Sequence, residues 1–155
     1  MRAHDLMTHP AAVCHATDTL NDAAKVMWDH DFGALPIVDD GGKLVGMITD
    51  RDICMAAYTQ GRPLAEIAVS TVMTKQVIAA HPEQKLGEIE KLMADHQVRR
   101  LPVVDHDDKP VGVISLNDLA LESAQPDTHM KNGLEKIGRV LSAICRPRLS
   151  RRSAA

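Results

Sequence analysis

Two carboxylates stand out by residue type and spacing. Asp52 follows Thr49 by three positions in Thr49-Asp50-Arg51-Asp52, and Asp118 follows Ser115 in the same way in Ser115-Leu116-Asn117-Asp118. A hydroxyl residue followed three positions later by an acid opens a helix. The hydroxyl caps free N–H groups, and the acid faces the positive end of the helix dipole. The same arrangement can also hold a ligand. An ionised carboxylate accepts from both vicinal hydroxyls of a ribose without a proton shift. Hydroxyl and amide donors at a helix N-terminus suit a phosphate. Capping is the commoner use of such a sequence, and its recurrence decides little, because a duplicated cap is duplicated too.

Other chemistries find less support. His4, His9, Cys14 and His15 cluster near the N-terminus, but their spacing fits no standard zinc pattern, so no metal site is assigned. His30 and His96 stand near the ends of two similar helices, where a cap or solvent contact suffices. Three cysteines, Cys14, Cys54 and Cys145, are an odd number without C-x-x-C spacing, and fit buried free thiols better than a disulfide framework. No Ser/His/Asp or Cys/His arrangement, P-loop or G-x-G-x-x-G is present, so no catalytic residue is assigned and the chain reads as a non-enzyme. Only Trp28, Phe32 and Tyr58 are aromatic, too few for a surface that stacks single-stranded bases. The net charge of −3 divides unevenly: residues 131–155 carry +6 and residues 1–130 carry −9. An acidic body argues against nucleic acid as a partner, and the arginine-rich end reads equally well as a solvated terminus. No apolar run is long enough to cross a membrane. Met1-Arg2-Ala3-His4-Asp5 lacks the apolar stretch of a signal peptide, and the expected location is the cytoplasm.

The elements that must position the two carboxylates come from an internal repeat. Shifted by 66 positions, Met7–Ile53 lies on Met73–Leu119 without a gap, and 17 of 47 pairs are identical. Each copy reads strand, helix, strand, strand, helix. The first strands are expected at Ala12–His15 and Val77–Ala80. Leu20, Ala23, Ala24 and Met27 form the apolar face of the next helix, as do Leu86, Ile89 and Met93 in the second copy. Apolar strands on either side of turns at 39–42 and 105–108 make hairpins. The fold class is α+β: two small sheets, each covered by helices, packed as a pseudo-twofold pair because a unit of about 50 residues buries too little core alone. The expected organisation is repeat 1 at 1–60, a linker at 61–70 with a short helical stretch near Leu64–Ala68, and repeat 2 at 71–124. A C-terminal helix over Gly133–Ile144 and a frayed basic tail complete 125–155.

Gly33-Ala34-Leu35-Pro36-Ile37-Val38-Asp39 with Gly46-Met47-Ile48-Thr49-Asp50-Arg51-Asp52-Ile53 resembles a cystathionine-β-synthase (CBS) domain. Arg99-Arg100-Leu101-Pro102-Val103-Val104-Asp105 with Gly112-Val113-Ile114-Ser115-Leu116-Asn117-Asp118-Leu119 resembles a second one. The resemblance covers about residues 1–124 and is similar to stand-alone two-repeat bacterial members of that family. It implies a Bateman module: a non-catalytic regulatory unit binding an adenine nucleotide between the repeats and altering a partner or self-association. AMP or ATP is the implied ligand, with NAD or S-adenosylmethionine as variants, and no cofactor is obligatory. The resemblance also implies a homodimer, with Met55, Ala56, Leu119, Ala120 and Leu121 as candidate surface residues, and an unidentified protein partner. The alternative is a ligand-free structural or stress-response dimer with a metal between subunits.

In the family, the ribose carboxylate of one repeat works with the residues preceding Leu-Pro in the other. Carried onto this chain, site 1 joins Thr49, Arg51 and Asp52 to Arg99 and Arg100, with Val13, Leu35, Pro36 and Ile48 lining an adenine slot. Site 2 joins Ser115, Asn117 and Asp118 to Gly33 and Ala34, with Ile78, Leu101, Pro102 and Ile114 lining the slot. Only site 1 would then contain a cation, and it is the one expected to favour phosphorylated ligands. The alternative for Arg99 and Arg100 is a solvent-facing role, and for the slot residues an ordinary core role.

Overall fold

A computed structural model describes residues 1–123 and 133–146. Its architecture is α+β: two small sheets, each with a flanking helix pair. In the first unit, β1 (Cys14–His15) runs parallel to β2 (Ala34–Val38), which pairs antiparallel with β3 (Leu44–Thr49). Helices α2 (Leu20–His30) and α3 (Asp50–Gln60) pack on it, and α1 (Ala3–Leu6) precedes it. The second unit repeats the plan with α4 (Leu86–His96), β4 (Arg100–Val104), β5 (Pro110–Ser115) and α5 (Leu116–Ser123). Between them, 3-10 turns at Leu64–Glu66 and Val69–Thr71 follow Gly61, whose φ of 59° ends α3 as the linker sequence predicts. The final helix, α6 (Gly133–Cys145), runs one residue beyond the predicted stretch. The expected frayed end beyond Arg146 lies outside the described residues.

The hairpins superimpose residue for residue. Leu35 faces Ile48 as Leu101 faces Ile114, and each ladder carries a bulge next to its turn, at Ile37/Val38 and at Val103/Val104. Asp39 and Asp105 shape the two turns, each accepting from two backbone N–H groups at 2.9 Å. Apolar alternation sends Leu35, Ile37 and Ile48 into one core and Leu101, Val103 and Ile114 into the other, all with no exposed surface. Each such side chain contributes about 1.5–3 kcal/mol by leaving water.

The predicted strand at Val77–Ala80 does not form as an element. It contracts to one parallel bridge, Ala80 to Val103. In the first unit the Ala16 N–H extends the equivalent ladder by donating to Val38 O at 3.1 Å. The second unit has Pro82 at that position, and proline has no N–H to give.

The lead-in to each unit packs on the other unit, which the repeat pattern did not predict. Ala3 and His4 donate to Gln84 O and Pro82 O at 2.9 and 3.1 Å, and Thr8 pairs antiparallel with Val113 of β5. In mirror fashion Val69 and Ser70 donate to Asp18 O and Ala16 O at 2.8 and 3.1 Å, and Thr74 pairs with Met47 of β3. Gly112 and Gly46 make the crossing possible. A Cβ on Gly112 would lie 2.5 Å from Met7 Sδ and 3.0 Å from Thr8 O, and one on Gly46 would lie 2.6 Å from Met73 Sδ and 3.1 Å from Thr74 O. Residues 1–8 thus complete the second core, where Ala3 is fully buried, and residues 69–74 complete the first.

Candidate functional site

Both helix-opening carboxylates form reciprocal caps. Asp52 Oδ2 accepts from Thr49 N at 2.9 Å and Thr49 Oγ1 at 2.7 Å, while Asp52 N donates back to Thr49 Oγ1 at 3.2 Å. Asp118 Oδ2 accepts from Ser115 N and Oγ, both at 2.7 Å, and Asp118 N returns a bond to Ser115 Oγ at 3.3 Å. Each carboxylate spends one oxygen on the cap. Its second oxygen takes no partner among the described residues, and both acids are half-buried. Capping and hydroxyl recognition are therefore compatible in one residue.

A cavity of about 310 Å³ opens beside Asp118. Ser115, Asn117, Gly33 and Ala34 line it together with Asp118, so the structure brings the polar residues of site 2 to one place. Arg100 lines it as well. The sequence reading joins Arg100 to Asp52, and the structure has it line this cavity. In the β4–β5 ladder Arg100 faces Ser115 of its own hairpin, which fixes it beside the second carboxylate. Its guanidinium rests over Gly33: Nη2 lies 2.7 Å, and Asp50 Oδ2 3.0 Å, from the point a Cβ there would occupy. No hydrogen bond or ion pair engages the guanidinium among the described residues. A cation, a free carboxylate oxygen and a helix N-terminus thus border one concavity.

The remaining site residues distribute as follows. Thr49, Arg51, Asp52 and Arg99 stand outside this cavity, with Arg51 and Arg99 exposed. Leu35, Pro36, Ile48, Leu101, Pro102 and Ile114 are buried, with Leu35, Ile48, Leu101 and Ile114 forming core. Val13 is half-buried, and Ile78 packs against the second core. Sequence reasoning missed other walls, among them a second carboxylate, Asp31, beside Phe32, and Thr8, Pro10, Ala11 and Val113 around the crossed lead-in; Leu121 completes the lining. The available signal was the alignment of Met7-Thr8 with Met73-Thr74, which extends the repeat ahead of the first strand.

Cys14 is buried and donates to Asp18 Oδ2 at 3.1 Å, whereas Cys54 and Cys145 are exposed, so burial holds for one thiol of three. Burial, reinforced by the Asp18 carboxylate, pushes the Cys14 thiol up to about 12. His30 Nδ1 lies 3.0 Å from Val26 O at the end of α2, a local helix contact. Among the described residues no three His, Cys, Asp or Glu side chains are grouped to hold a metal. No helix among them is long and apolar enough to cross a membrane.

The profile of the CBS domain matches residues 3–58 and 69–125. The chain belongs to the CBS-domain family. Among its relatives, the CBS domain-containing protein YhcV of Bacillus subtilis is 41% identical over 117 residues, covering 76% of this chain and 81% of YhcV. The CBS domain pair of protein MJ0100, solved with 5'-methylthioadenosine and S-adenosyl-L-methionine, is similar with a TM-score of 0.71 and 30% identity, over 78% of this chain and 94% of that one. Hypoxic Response Protein I, solved with two coordinated zinc ions, has a TM-score of 0.71 and 31% identity, over 81% of this chain and all of that one.

Proposed function

We propose that this CBS pair is a non-catalytic regulatory module that binds an adenosine-containing ligand in the Asp118 cavity and signals occupancy to a partner. The observation that carries this reading is the meeting of a free Asp118 oxygen with the unpaired Arg100 guanidinium in one cavity. The carboxylate accepts from the ribose hydroxyls, and the guanidinium takes a phosphate through charge-assisted bonds. The MJ0100 pair, with its two adenosyl ligands, supports the adenosine class. Arg100 favours AMP or ATP within that class over a cationic sulfonium ligand such as S-adenosylmethionine.

Calorimetry with AMP tests this. Arg100→Ala and Asp118→Ala should each weaken binding by roughly ten- to hundred-fold. Asp52→Ala should change it little. Unchanged affinity in both cavity variants, or heat only in proteins with Asp52 intact, would overturn the assignment.

The same reading includes a homodimer in a reducing, cytoplasmic setting. Of the five surface candidates, Ala56 and Leu119 are interior, a correction that follows from their positions on the core faces of α3 and α5. Met55 and Leu121, equivalent across the repeat, remain 45% and 69% exposed and are the apolar contacts to expect. A monomeric mass by light scattering across micromolar concentrations would refute the dimer. The zinc-bound structure of Hypoxic Response Protein I favours a second reading, a metal held between subunits. Zinc at one equivalent per chain in protein purified without added metal would support it.

A further inference from the structure

The cavity beside Asp118 holds its charges unevenly. Among the described residues that line it, Arg100 is the only base, and Asp31 and Asp118 are the acids. Asp31 is the left-handed C-cap of α2, with a φ of 56°. Its N–H closes the helix on Met27 O and Trp28 O, while its carboxylate takes no hydrogen bond or ion pair among the described residues. Two residues on, Arg100 Nη2 and Asp50 Oδ2 crowd the same side of Gly33, and no ion pair joins them. The one guanidinium of the cavity therefore stands between acids that it does not neutralise by contact.

The equivalent C-cap of the second unit is Gln97, a neutral amide already engaged. Its Nε2 donates to Ala143 O at 3.1 Å and Arg146 O at 3.3 Å, at the end of α6, which Ile137, Val140 and Ile144 seat on the second core. The charge at Asp31 is thus not part of the shared backbone plan, because a neutral residue makes the same left-handed turn.

Resting on the adenosine reading of this cavity, we propose that Asp31 makes it selective for a nucleoside monophosphate over a triphosphate. A monophosphate carries about two negative charges at pH 8 and a triphosphate about four. With Asp118 turned to the ribose, Arg100 meets the first phosphate by charge-assisted bonds. Phosphates reaching past Arg100 find no further cation in the lining and have Asp31 and Asp50 beside them. Like charges at such separations repel, and salt screens that repulsion because Asp31 is exposed.

Calorimetry of the full chain with AMP and with ATP tests this, at pH 8, where histidine is neutral, and in EDTA, so that no divalent cation offsets the phosphates. The expected result at low salt is AMP bound roughly ten-fold or more tighter than ATP. Asp31→Asn should raise ATP affinity roughly three- to ten-fold and AMP affinity by less. Added salt should narrow the preference in the wild type more than in the variant. Asn tolerates the left-handed backbone at position 31, and retained AMP binding shows that the variant is folded. If AMP binds but ATP binds as tightly, or if Asp31→Asn leaves their ratio where it was, Asp31 is not the determinant and the adenosine reading survives. Binding of neither nucleotide removes that reading and this inference with it. Binding of S-adenosylmethionine above AMP, lost in Asp31→Asn, also overturns the inference, because Asp31 then attracts an ammonium group instead of repelling phosphate.

Discussion

The two CBS units share a hairpin register, a bulge and a helix cap, and they part company at the surface. Arg100 begins β4 where Ala34 begins β2, so only the second hairpin offers a guanidinium to its own helix-opening carboxylate. The second helix pair is roofed by α6, and no described element covers the first in the same way. The turn acids Asp39 and Asp105 and the helix caps are alike in both units, whereas Ala34 and Arg100, and Asp31 and Gln97, differ at equivalent positions. The broken symmetry leaves the two units chemically distinct at the surface although their hairpins match in register.

The largest contrast to test is within the first unit. Its buried thiol, pushed up to about 12 from the ordinary 9.0, leaves Cys14 as thiolate ~10³-fold less often than an unperturbed thiol at neutral pH. Maleimide should therefore label Cys54 and Cys145 promptly and Cys14 only in denaturant. Rapid labelling of Cys14 in the native state would show that the first core opens more readily than its packing implies. Next come the cores themselves. Ile48→Ala and Ile114→Ala remove equivalent, fully buried side chains, and each should cost about 2–5 kcal/mol in urea unfolding. Costs that differ by more than about 2 kcal/mol would break the equivalence of the two cores.

Smaller effects sharpen the comparison. Gly46→Ala and Gly112→Ala press a methyl on the crossed lead-ins at Thr74 O and Thr8 O, and each should destabilise by about 1–3 kcal/mol. Removing the caps with Thr49→Ala or Ser115→Ala should cost about 1 kcal/mol each. The smallest effect is a pH dependence at the second turn. The N–H of Lys109, bonded to Asp105, holds that carboxyl below its ordinary 3.8. A depressed folded value means the turn is stabilised above pH 3.8 and loses that support as pH falls through the lower folded value. The Lys109 amide resonance should titrate with a midpoint below 3.8. A midpoint above it would refute the bond.

Much of this was legible in the residues. Helix and strand periods, the turn acids Asp39 and Asp105, and the Thr49 and Ser115 caps are local signals, and local chemistry produced those elements. Three features depend on contacts between distant segments and escaped. The strand at Val77–Ala80 fails because Pro82 lacks a donor, a residue that was visible but whose ladder partner was not. Arg100 is expected beside Asp52 from a cross-repeat rule, whereas the antiparallel register of its own hairpin sets it opposite Ser115. The apolar stripe of α6 announced a helix without announcing its seat, since Gln97 and Leu116 gain meaning only when brought under it.

The crossed lead-ins also impose an order on a nascent chain. Thr8 leaves the ribosome early, yet its partner Val113 follows on the order of a hundred residues later. The first unit can close as soon as residues 69–74 emerge, while the chain's own beginning must wait, unpaired, for β5. Cleavage or a bulky fusion at the N-terminus is consequently felt by the second unit, at the far end of the sequence, before the first.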